Sequence, residues 1–577
     1  MLGERGPQRG LLEADYVYAD FVGRQSFYGF LATQRDVLFR DEDFAQLYCA
    51  NNGRPSVPPS LLATALVLQT FERVSDEEAK RRADYDLCWK VALGIAIEER
   101  PFAKSTLQEF RAQLVIHEEP RAIFRQSIEL AKRQGYFRGK PKLRVALDTL
   151  VILGRGAVKD TYNLLADGIV QVLRVLAQQA GERLEAWVER EDFGRYVAEQ
   201  SLKGQATINW DDPKEQRQLL QGIVADADRV LELVRQARSD WEEGSPEDQA
   251  LAEAAGLLSR VLVQDIERRD DGAALRQGVA PDRVVSVHDP EMRHGRKSQA
   301  KRFDGHKGAL AVDTDSQLIT AVAALPGNAA DHEQALELVQ QSEEATACPV
   351  AEAIGDCAYG DGPTRQAFAD ARRELIAKVP AVTNQGRFPK TAFTIDVVGG
   401  ACTCPAGQTT ADLRPAAGGG GTFHFPAAVC ATCPLRAACV RGKGGRTVQL
   451  HPQEALLQAA RAFQASPAFG EYRRRRQAAE HRIARLVQLG IRQARYFGGA
   501  KTLFQLCMAA AVANLTLLAY RAAQGTNDPD SLHLFVLIMA VGLFTWSQLA
   551  VAGQRFSWAP SPARNLPSDL GTIARAA

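Results

Sequence analysis

Two short apolar runs in the middle of the chain carry a carboxylate at or near their ends. The first covers residues 143–152 and has Asp148 at its centre, and the second begins at Val350 and leads through Asp356 into a glycine turn. Apolar runs of this length, bounded by turn residues, are typical of strands buried in a sheet. Residues 308–325 hold two further apolar runs separated by Thr-Asp-Ser, which predicts a β-hairpin.

Helical periodicity dominates the flanking regions. Residues 1–140 place apolar side chains three and four positions apart, and Ser75 followed by Glu78 forms a capping-box pattern at a helix start. Residues 161–280 repeat apolar positions at the same spacing and predict an all-helical segment. Further helices are predicted near 330–344, 365–373 and 502–520, with another strand at 374–379.

The order of these elements predicts the fold. Once the insertions are left out, the order is strand, two-strand hairpin, helix, strand, helix, strand, helix. This order favours an α/β fold in which a ribonuclease-H-like mixed sheet is flanked by helices. The predicted domains are an N-terminal helical domain (1–140), a core (141–160 and 281–395), an acidic helical insert (161–280), a small zinc-ribbon-like insert (396–450), C-terminal basic helices of the core (451–525) and a tail (526–577).

The distribution of charge is more informative than its sum. The chain has 577 residues and a net charge of +1, so the whole-chain balance identifies no partner. Residues 471–501 contain nine Lys or Arg against two acids, whereas residues 181–272 contain 12 against 22. A basic face and an acidic block on one neutral chain indicate a polyanion site and a segment kept away from it. The alternative for both runs is a solvated helical face.

Five of the ten cysteines fall between residues 402 and 439. The first residues lack the apolar core of a signal peptide, so we expect a cytoplasmic protein with reduced thiols. Cys404, Cys430, Cys433 and Cys439, with Cys402 as a substitute, have a spacing that predicts a tetrahedral structural Zn²⁺ site. The alternative is a set of reduced thiols in a core. The remaining cysteines, Cys49 and Cys357 among them, are predicted to be buried.

The segment 532–552 has no charged residue over 21 positions. That length is sufficient to cross a bilayer. A buried terminal helix and a tail outside the working fold are the alternatives. We expect no membrane insertion, because the rest of the chain has the composition of a soluble protein and the segment contains polar side chains.

Asp148, Asp356 and Glu480 are the candidate catalytic and metal-binding residues. Carboxylates are rarely buried in a strand unless they are paired, and a metal ion is one such partner. Glu480 lies on the basic helical segment, 124 residues after Asp356. Strands and a facing helix of one sheet can bring such distant acids together. Two Mg²⁺ or Mn²⁺ ions, which prefer hard oxygen ligands, would suit a site for phosphoryl transfer.

Basic residues predict contacts with a nucleic-acid backbone. Four consecutive arginines, including Arg475 and Arg476, follow Tyr472, and guanidinium groups match phosphate oxygens well. A second basic run contains Arg296, Lys297 and Lys307, together with His306, and is predicted to follow the DNA backbone. Its alternative is a solvated loop.

Two acids close to this second run are candidates for other roles. Asp289 precedes the basic run and is a runner-up for the catalytic acids. Asp331, in Gly-Asn-Ala-Ala-Asp, is predicted to cap the helix that follows it.

These features resemble bacterial insertion-sequence transposases of the DDE superfamily, in the group with a Tyr-Arg-Glu signature around its last acid. The resemblance covers residues 20–520. The matching stretches are Asn-Gly-Arg-Pro-Ser-Val-Pro-Pro-Ser (52–60), Leu-Asp-Thr (147–149), Gly-Arg-Gly-Ala-Val-Lys-Asp (154–160), Asp-Gly-His-Lys (304–307), Gly-Asn-Ala-Ala-Asp (327–331), Ile-Gly-Asp-Cys-Ala-Tyr (354–359) and the basic helix.

The resemblance implies that Asp148, Asp356 and Glu480 are the catalytic triad, with Tyr472 and one arginine beside them. The family pattern has two residues between Tyr and Arg and three between Arg and Glu. Here Arg475 gives two and four, whereas Arg476 gives three and three, so both remain candidates.

The implied function is a DNA transposase that binds the terminal inverted repeats of its element, cleaves the ends and joins them to target DNA. Residues 1–140 are then a DNA-binding domain. We expect a homodimer or higher oligomer, associated with the nucleoid. The alternatives are a catalytically inactive DNA-binding derivative and, on the apolar tail alone, a membrane-tethered nuclease.

Overall fold

The computed structural model describes residues 1–6, 12–49, 53–117, 119–239, 244–298 and 300–525. The apolar segment 532–552 lies outside the described residues. Contacts group Met1–Gln524 as one unit and Gly525–Ala577 as another, of which only Gly525 is described.

The described strands are β1 (Leu143–Leu153), β2 (Ile266–Arg269), β3 (Gly272–Leu275), β4 (Arg293–Arg296), β5 (Arg302–Asp313), β6 (Ile319–Pro326), β7 (Val350–Ile354), β8 (Glu374–Ile376), β9 (Thr394–Asp396), β10 (Ala401–Thr403), β11 (Thr409–Thr410), β12 (Leu413–Pro415), β13 (Gly421–His424) and β14 (Thr447–Leu450).

The described α-helices are α1 (Ala14–Val22), α2 (Phe27–Leu38), α3 (Pro59–Glu72), α4 (Asp76–Tyr85), α5 (Leu87–Leu93), α6 (Lys104–Ile116), α7 (Ala122–Arg133), α8 (Thr161–Gln179), α9 (Leu184–Arg190), α10 (Leu202–Gln205), α11 (Pro213–Arg238), α12 (Pro246–Asp265), α13 (Ala335–Thr346), α14 (Gly362–Asp370), α15 (Ala427–Ala431), α16 (Arg436–Cys439), α17 (Glu454–Gln464), α18 (Phe469–Arg475), α19 (Gln477–Gln488) and α20 (Gly499–Gln524). Short 3-10 helices lie at Asp41–Leu47, Gly194–Tyr196, Cys357–Tyr359 and Lys390–Ala392.

A six-stranded mixed sheet forms the centre of the core. β1 pairs antiparallel with β5 on one side and parallel with β7 on the other, and β8 continues the parallel half beyond β7. The other edge of β5 pairs first with β4 and then with β6. The predicted hairpin is therefore β5–β6. The mixed α/β architecture is consistent with a ribonuclease-H-like transposase.

Helices cover this sheet. α19 packs against β1 and β5, α13 packs against β6 and β7, and α20 packs against β6, α7 and α3. Among the described helices, α20 has the length and apolar composition of a membrane span. However, 83% of its apolar 18-residue stretch is buried inside the protein. Asn514 on α20 accepts a hydrogen bond from the Ile319 amide and donates one to the Ile319 carbonyl, both at 2.9 Å. These bonds fix α20 to the free edge of β6, since buried backbone groups need partners.

The N-terminal region consists of α1–α7. Ser75 caps α4 by accepting a hydrogen bond from the Glu78 amide at 3.1 Å, as the sequence predicts. Arg111 on α6 holds Asp76 on α4 at 2.8 Å, and the same arginine lies over the ring of Tyr496. The N-terminal helices are therefore packed directly against the segment that follows α19.

Residues 161–280 have their own apolar core, built mainly from α8, α11 and α12. The prediction that the segment is wholly helical is wrong, because β2 and β3 pair as a hairpin after α12 ends at Asp265. Asp270-Asp271 forms the turn, and Gly272, at a φ of 112°, begins β3. Two aspartates and a glycine between two short runs are a turn signal that the helical periodicity of α12 masks.

The cysteine-rich region folds as two small three-stranded sheets, β9–β11 and β12–β14, with α15 and α16 beside them. Phe393, Phe423, Phe425 and Val448 form its buried core together with Cys402. In the sequence, this cysteine-rich region lies between β8 and the basic helices α18 and α19.

Candidate active site

Two aspartates lie side by side where β1 and β7 run parallel. Ala146 pairs with Ile354 in this register, so Asp148 and Asp356 each follow a paired residue by two positions. Neighbouring strands are about 4.8 Å apart, which places the two carboxylates on adjacent backbones. The Asp148 carboxylate accepts a hydrogen bond from the Thr149 amide, and the Asp356 carboxylate accepts one from the Ala358 amide, both at 2.8 Å.

The third acid reaches the same place from α19. Glu480 lies in the first turn of this helix, which packs against β1. The guanidinium of Arg476 donates to Asp148 Oδ2 at 3.2 Å and, through its other terminal nitrogen, to Glu480 Oε1. One arginine thus joins an acid of the central strand to an acid of the late helix, 332 residues apart in sequence.

The charges of Asp356 and Glu480 both affect the ionisation of Asp148. Burial raises the pKa of Asp148 to about 6, and the negative charges of Asp356 and Glu480 add to this rise. The Thr149 amide and the Arg476 guanidinium act in the opposite direction. The Asp148 side chain is only 18% exposed. A carboxylate in this setting gains from any additional positive charge, because ionisation is costly there.

This pKa predicts a pH-dependent stability difference. The raised folded pKa means that the Asp148 carboxyl costs no stability below pH 4, and that its ionisation destabilises the fold as the pH rises through 6. The full cost is at most about 3 kcal/mol, taking about 1.36 kcal/mol for each pKa unit. We therefore expect the free energy of unfolding of Asp148→Asn to exceed that of the wild type at pH 7.5 in EDTA, and the two values to be equal at pH 4. Urea denaturation at both pH values tests this, and a difference that does not change with pH would contradict it.

The two candidate arginines have different surroundings. Arg475 pairs with Glu471 at 2.6 Å and with Asp315 at 3.4 Å, whereas Arg476 contacts Asp148 and Glu480. Arg476 is the single residue between α18 and α19. The position at which the spacing departs from the family pattern is therefore the junction of two helices.

Tyr472 lies on α18, one turn before this junction. Its hydroxyl hydrogen-bonds to Glu352 on β7, and burial together with that carboxylate raises the pKa of Tyr472. Glu352 also pairs with Arg144 at 2.8 Å. The contacts of Tyr472 therefore hold α18 against the sheet next to the acids.

The basic run of residues 293–307 divides into exposed and buried residues. Arg296 and Lys297 are exposed at the β4–β5 turn. The register of β5 with β1 places this turn beyond Leu153, the C-terminal residue of β1. The prediction that Lys307 contacts the DNA backbone is wrong, because the Lys307 side chain is buried. Lys307 is 9% exposed, and its ammonium donates to Asp331 and to the Ala329 carbonyl, both at 2.7 Å.

Two further predictions fail near this run. Asp331 does not cap a helix, because α13 begins at Ala335, and the carboxylate instead accepts from Lys307. His306 is buried, not surface-exposed, and faces the buried Asp289 at 3.5 Å. His306 is buried because β1 and β6 flank β5 on both edges.

Sequence reasoning missed a second layer of residues around the acids. Lys307 and Asp331 form an ion pair, and His332 donates to the Ala358 carbonyl at 3.0 Å in the turn that follows Asp356. The signal was present in the two matching stretches 304–307 and 327–331, which the pairing of β5 with β6 brings together.

The cysteines of the small insert gather around its core. Burial raises the pKa of Cys439, and the neighbouring thiols of Cys430, Cys404 and Cys433 add to the rise. Cys402 is buried in the core itself, which raises its pKa to about 11. The prediction of burial is wrong for Cys49 and Cys357, which are exposed: Cys49 follows the 3-10 helix Asp41–Leu47, and Cys357 begins the 3-10 helix Cys357–Tyr359.

The donor sets can be tested for metal binding by their chemistry. Three carboxylates with one partly buried member suit Mg²⁺ or Mn²⁺, and four thiols suit Zn²⁺. Among residues 1–525, in the ranges described, no three His, Cys, Asp or Glu side chains converge closely enough to be recognised as a metal site. At the acids, the Arg476 guanidinium lies between Asp148 and Glu480 and supplies positive charge there.

Two protein-family models match the chain. Residues 17–113 match the model described as "Transposase domain (DUF772)", and residues 403–519 match the model described as "Transposase DDE domain". The second match contains Arg476 and Glu480, and the first covers the helices that pack next to the core. Together the matches indicate a transposase and support the DDE type. Neither the curated proteins nor the solved structures gave a match.

Proposed function

We propose that this protein is a DNA transposase that binds the terminal inverted repeats of its own element, cleaves the ends and transfers the strands to target DNA. The observation that carries this proposal is that Asp148 and Asp356 follow neighbouring strands β1 and β7, while Arg476 joins Asp148 to Glu480 on α19. The two transposase matches support the same class. We also propose that the protein belongs to the group with a Tyr-Arg-Glu signature and that Arg476 is its arginine.

The three acids are proposed to hold a pair of Mg²⁺ or Mn²⁺ ions. When bound, such ions activate an attacking oxygen and stabilise the leaving oxygen of a phosphodiester. The protein's own contribution is the arrangement of the ligands. The β1–β7 register fixes Asp148 beside Asp356, and the Thr149 and Ala358 amides hold one oxygen of each carboxylate. Catalysis then depends on positioning and charge neutralisation, as in other phosphoryl transfers.

Exposed basic residues are proposed to bind the DNA backbone on both sides of the acids. Arg296 and Lys297 extend from the β4–β5 turn, while Arg473 and Arg474 are exposed on α18. Arginine forks suit phosphate oxygens, and such contacts position the duplex without reading its sequence. The acidic insert, with its own core, stays clear of the polyanion and is a candidate oligomer interface. A homodimer or higher oligomer that pairs two DNA ends is part of the proposal, as is a nucleoid-associated location.

The direct test is a cleavage assay on DNA that carries both flanks of the gene. The full-length protein should nick this DNA at the element ends when Mg²⁺ is present, and should leave DNA of scrambled ends intact. Binding of the ends without nicking, in Mg²⁺ and in Mn²⁺, would favour the alternative of an inactive DNA-binding derivative. Absence of both binding and nicking would refute the proposal.

Cys404, Cys430, Cys433 and Cys439 are proposed to bind one structural Zn²⁺. The supporting observation is that Cys404 and Cys430 pack against the small core that contains Cys439, and the thiols of Cys430, Cys404 and Cys433 also raise the pKa of Cys439. Zinc would favour their thiolate forms and join α15 and α16 to the strands of the insert.

Zinc binding by these cysteines gives a testable prediction. We expect purified wild-type protein to contain about one zinc per chain, and Cys433→Ser to contain almost none, because a tetrahedral site loses its closure with one ligand. Elemental analysis measures this. Cys49→Ser, at an exposed cysteine outside the insert, is the control and should keep its zinc. Equal zinc contents in the wild type and Cys433→Ser would show that the thiols are ordinary core residues.

A further inference from the structure

Tyr359 is buried next to the acids, and its hydroxyl has no hydrogen-bond partner among the described residues. The side chain is 1% exposed. A buried hydroxyl without a partner costs about 1–3 kcal/mol on the scale of protein substitutions. A phenylalanine would fill the same space without that cost, so stability alone does not account for the hydroxyl.

The surroundings of this hydroxyl are the acids of the site. Burial raises the pKa of Tyr359 well above its usual value, and the negative charges of Asp148, Asp331 and Asp356 raise it further. Arg476 acts in the opposite direction. The tyrosine therefore lies near the two strand acids and near Asp331, which pairs with Lys307.

The backbone, and not the hydroxyl, sets the position of the ring. Tyr359 ends the 3-10 turn Cys357–Tyr359, which begins with the Asp356 carboxylate accepting from the Ala358 amide. His332 donates to the Ala358 carbonyl and ties this turn to the Asp331 segment. The ring packs directly over Gly355, where an added Cβ would lie 2.7 Å from the Tyr359 Cβ and Cγ. The hydroxyl is thus held among the acids by contacts it does not make itself.

We propose that Tyr359 is a positioning residue for the divalent cations. Its O–H donates to an oxygen of the cation-loaded site, either a ligand carboxylate of Asp148 or Asp356 or a water bound next to them, and so orders the ligands. This inference rests on the proposed function, because it requires cations at Asp148 and Asp356. Partners that orient metal ligands in this way contribute about 10- to 100-fold to metal affinity or activity.

The test is Tyr359→Phe in the full-length protein, with Mn²⁺ as the probe. Thermal unfolding is followed over a range of Mn²⁺ concentrations, since a ligand that binds only the folded state raises Tm by an amount set by the ratio of its concentration to its Kd. In EDTA we expect the variant to have a Tm equal to or above that of the wild type. We define the Mn²⁺ midpoint as the concentration that gives a fixed rise in Tm, namely half of the rise of the wild type at the highest concentration used. This midpoint follows Kd and should increase about 10- to 100-fold in the variant.

A matched control makes the result specific. Tyr196 is also buried, but its hydroxyl donates to Asp226 at 2.8 Å within the insert. Tyr196→Phe should lower Tm in EDTA and leave the Mn²⁺ midpoint unchanged. A Tyr359→Phe protein that behaves like this control, with lower metal-free stability or an unchanged Mn²⁺ midpoint, would overturn the inference.

A third variant separates this inference from the proposed function. If Asp148→Asn removes the Mn²⁺ response while Tyr359→Phe keeps the wild-type midpoint, the cation site stands and only the role of Tyr359 fails. If Asp148→Asn keeps the full Mn²⁺ response, the cation site itself is refuted and the inference falls with it.

Discussion

Asp356→Asn should abolish cleavage of the element ends while the protein still binds them. The amide keeps the size of the side chain and can still accept from the Ala358 amide, so the turn after β7 should persist. It removes one of the negative charges that a divalent cation requires. Removing a residue that only hydrogen-bonds to a metal ligand lowers metal affinity or activity about 10- to 100-fold. Loss of a ligand itself should therefore reduce the nicking rate by more than about 100-fold.

The measurement is single-turnover nicking of end-containing DNA in Mg²⁺, combined with a gel-shift assay on the same DNA. Asp370→Asn is the matched control, because it makes the same chemical change at an exposed position at the end of α14. The control should nick at the wild-type rate. Nicking by Asp356→Asn at more than a tenth of the wild-type rate would mean that Asp356 is not a metal ligand.

Arg476→Gln should reduce nicking about 10- to 100-fold, whereas Arg475→Gln should change it less than about threefold. Arg476 bonds to Asp148 and Glu480, and a hydrogen bond to a charged group is worth about 1.5–3 kcal/mol, which corresponds to this range. Arg475 instead pairs with Glu471 on its own helix and with Asp315 at the surface. Exposed pairs of that kind contribute about 0–1 kcal/mol.

The two adjacent variants remove the same charge from the same basic segment, so a general loss of DNA affinity affects both. Single-turnover rates at saturating protein therefore isolate the effect on the site. Equal losses in the two variants would show that the arginines act only as a charged surface. A larger loss in Arg475→Gln would mean that the helix junction at Arg476 is aligned differently on DNA.

The central sheet and its two aspartates could be predicted from the sequence because they depend on local pattern. The short apolar runs around Asp148 and before Asp356, bounded by turn residues, are typical of buried strands, and the Thr-Asp-Ser turn between two further runs specifies the β5–β6 hairpin. The Ser75 cap was likewise predictable, since a capping box is complete within four residues.

The partner of Lys307 and the choice between Arg475 and Arg476 could not be predicted from the sequence, because both depend on contacts between distant segments. Lys307 looks like part of a basic loop, but β1 and β6 enclose it, and Asp331 becomes its partner only through the fold. The choice between Arg475 and Arg476 depends on a single residue at a helix junction, which turns one guanidinium toward β1 and the other toward Glu471. No local pattern encodes that rotation.

Binding of Mn²⁺ at the three carboxylates is the central claim, and anomalous diffraction from crystals grown with Mn²⁺ and end DNA tests it most directly. We expect two Mn²⁺ peaks whose protein ligands are Asp148, Asp356 and Glu480. Manganese bound only elsewhere, or no manganese at saturating concentration, would contradict the account.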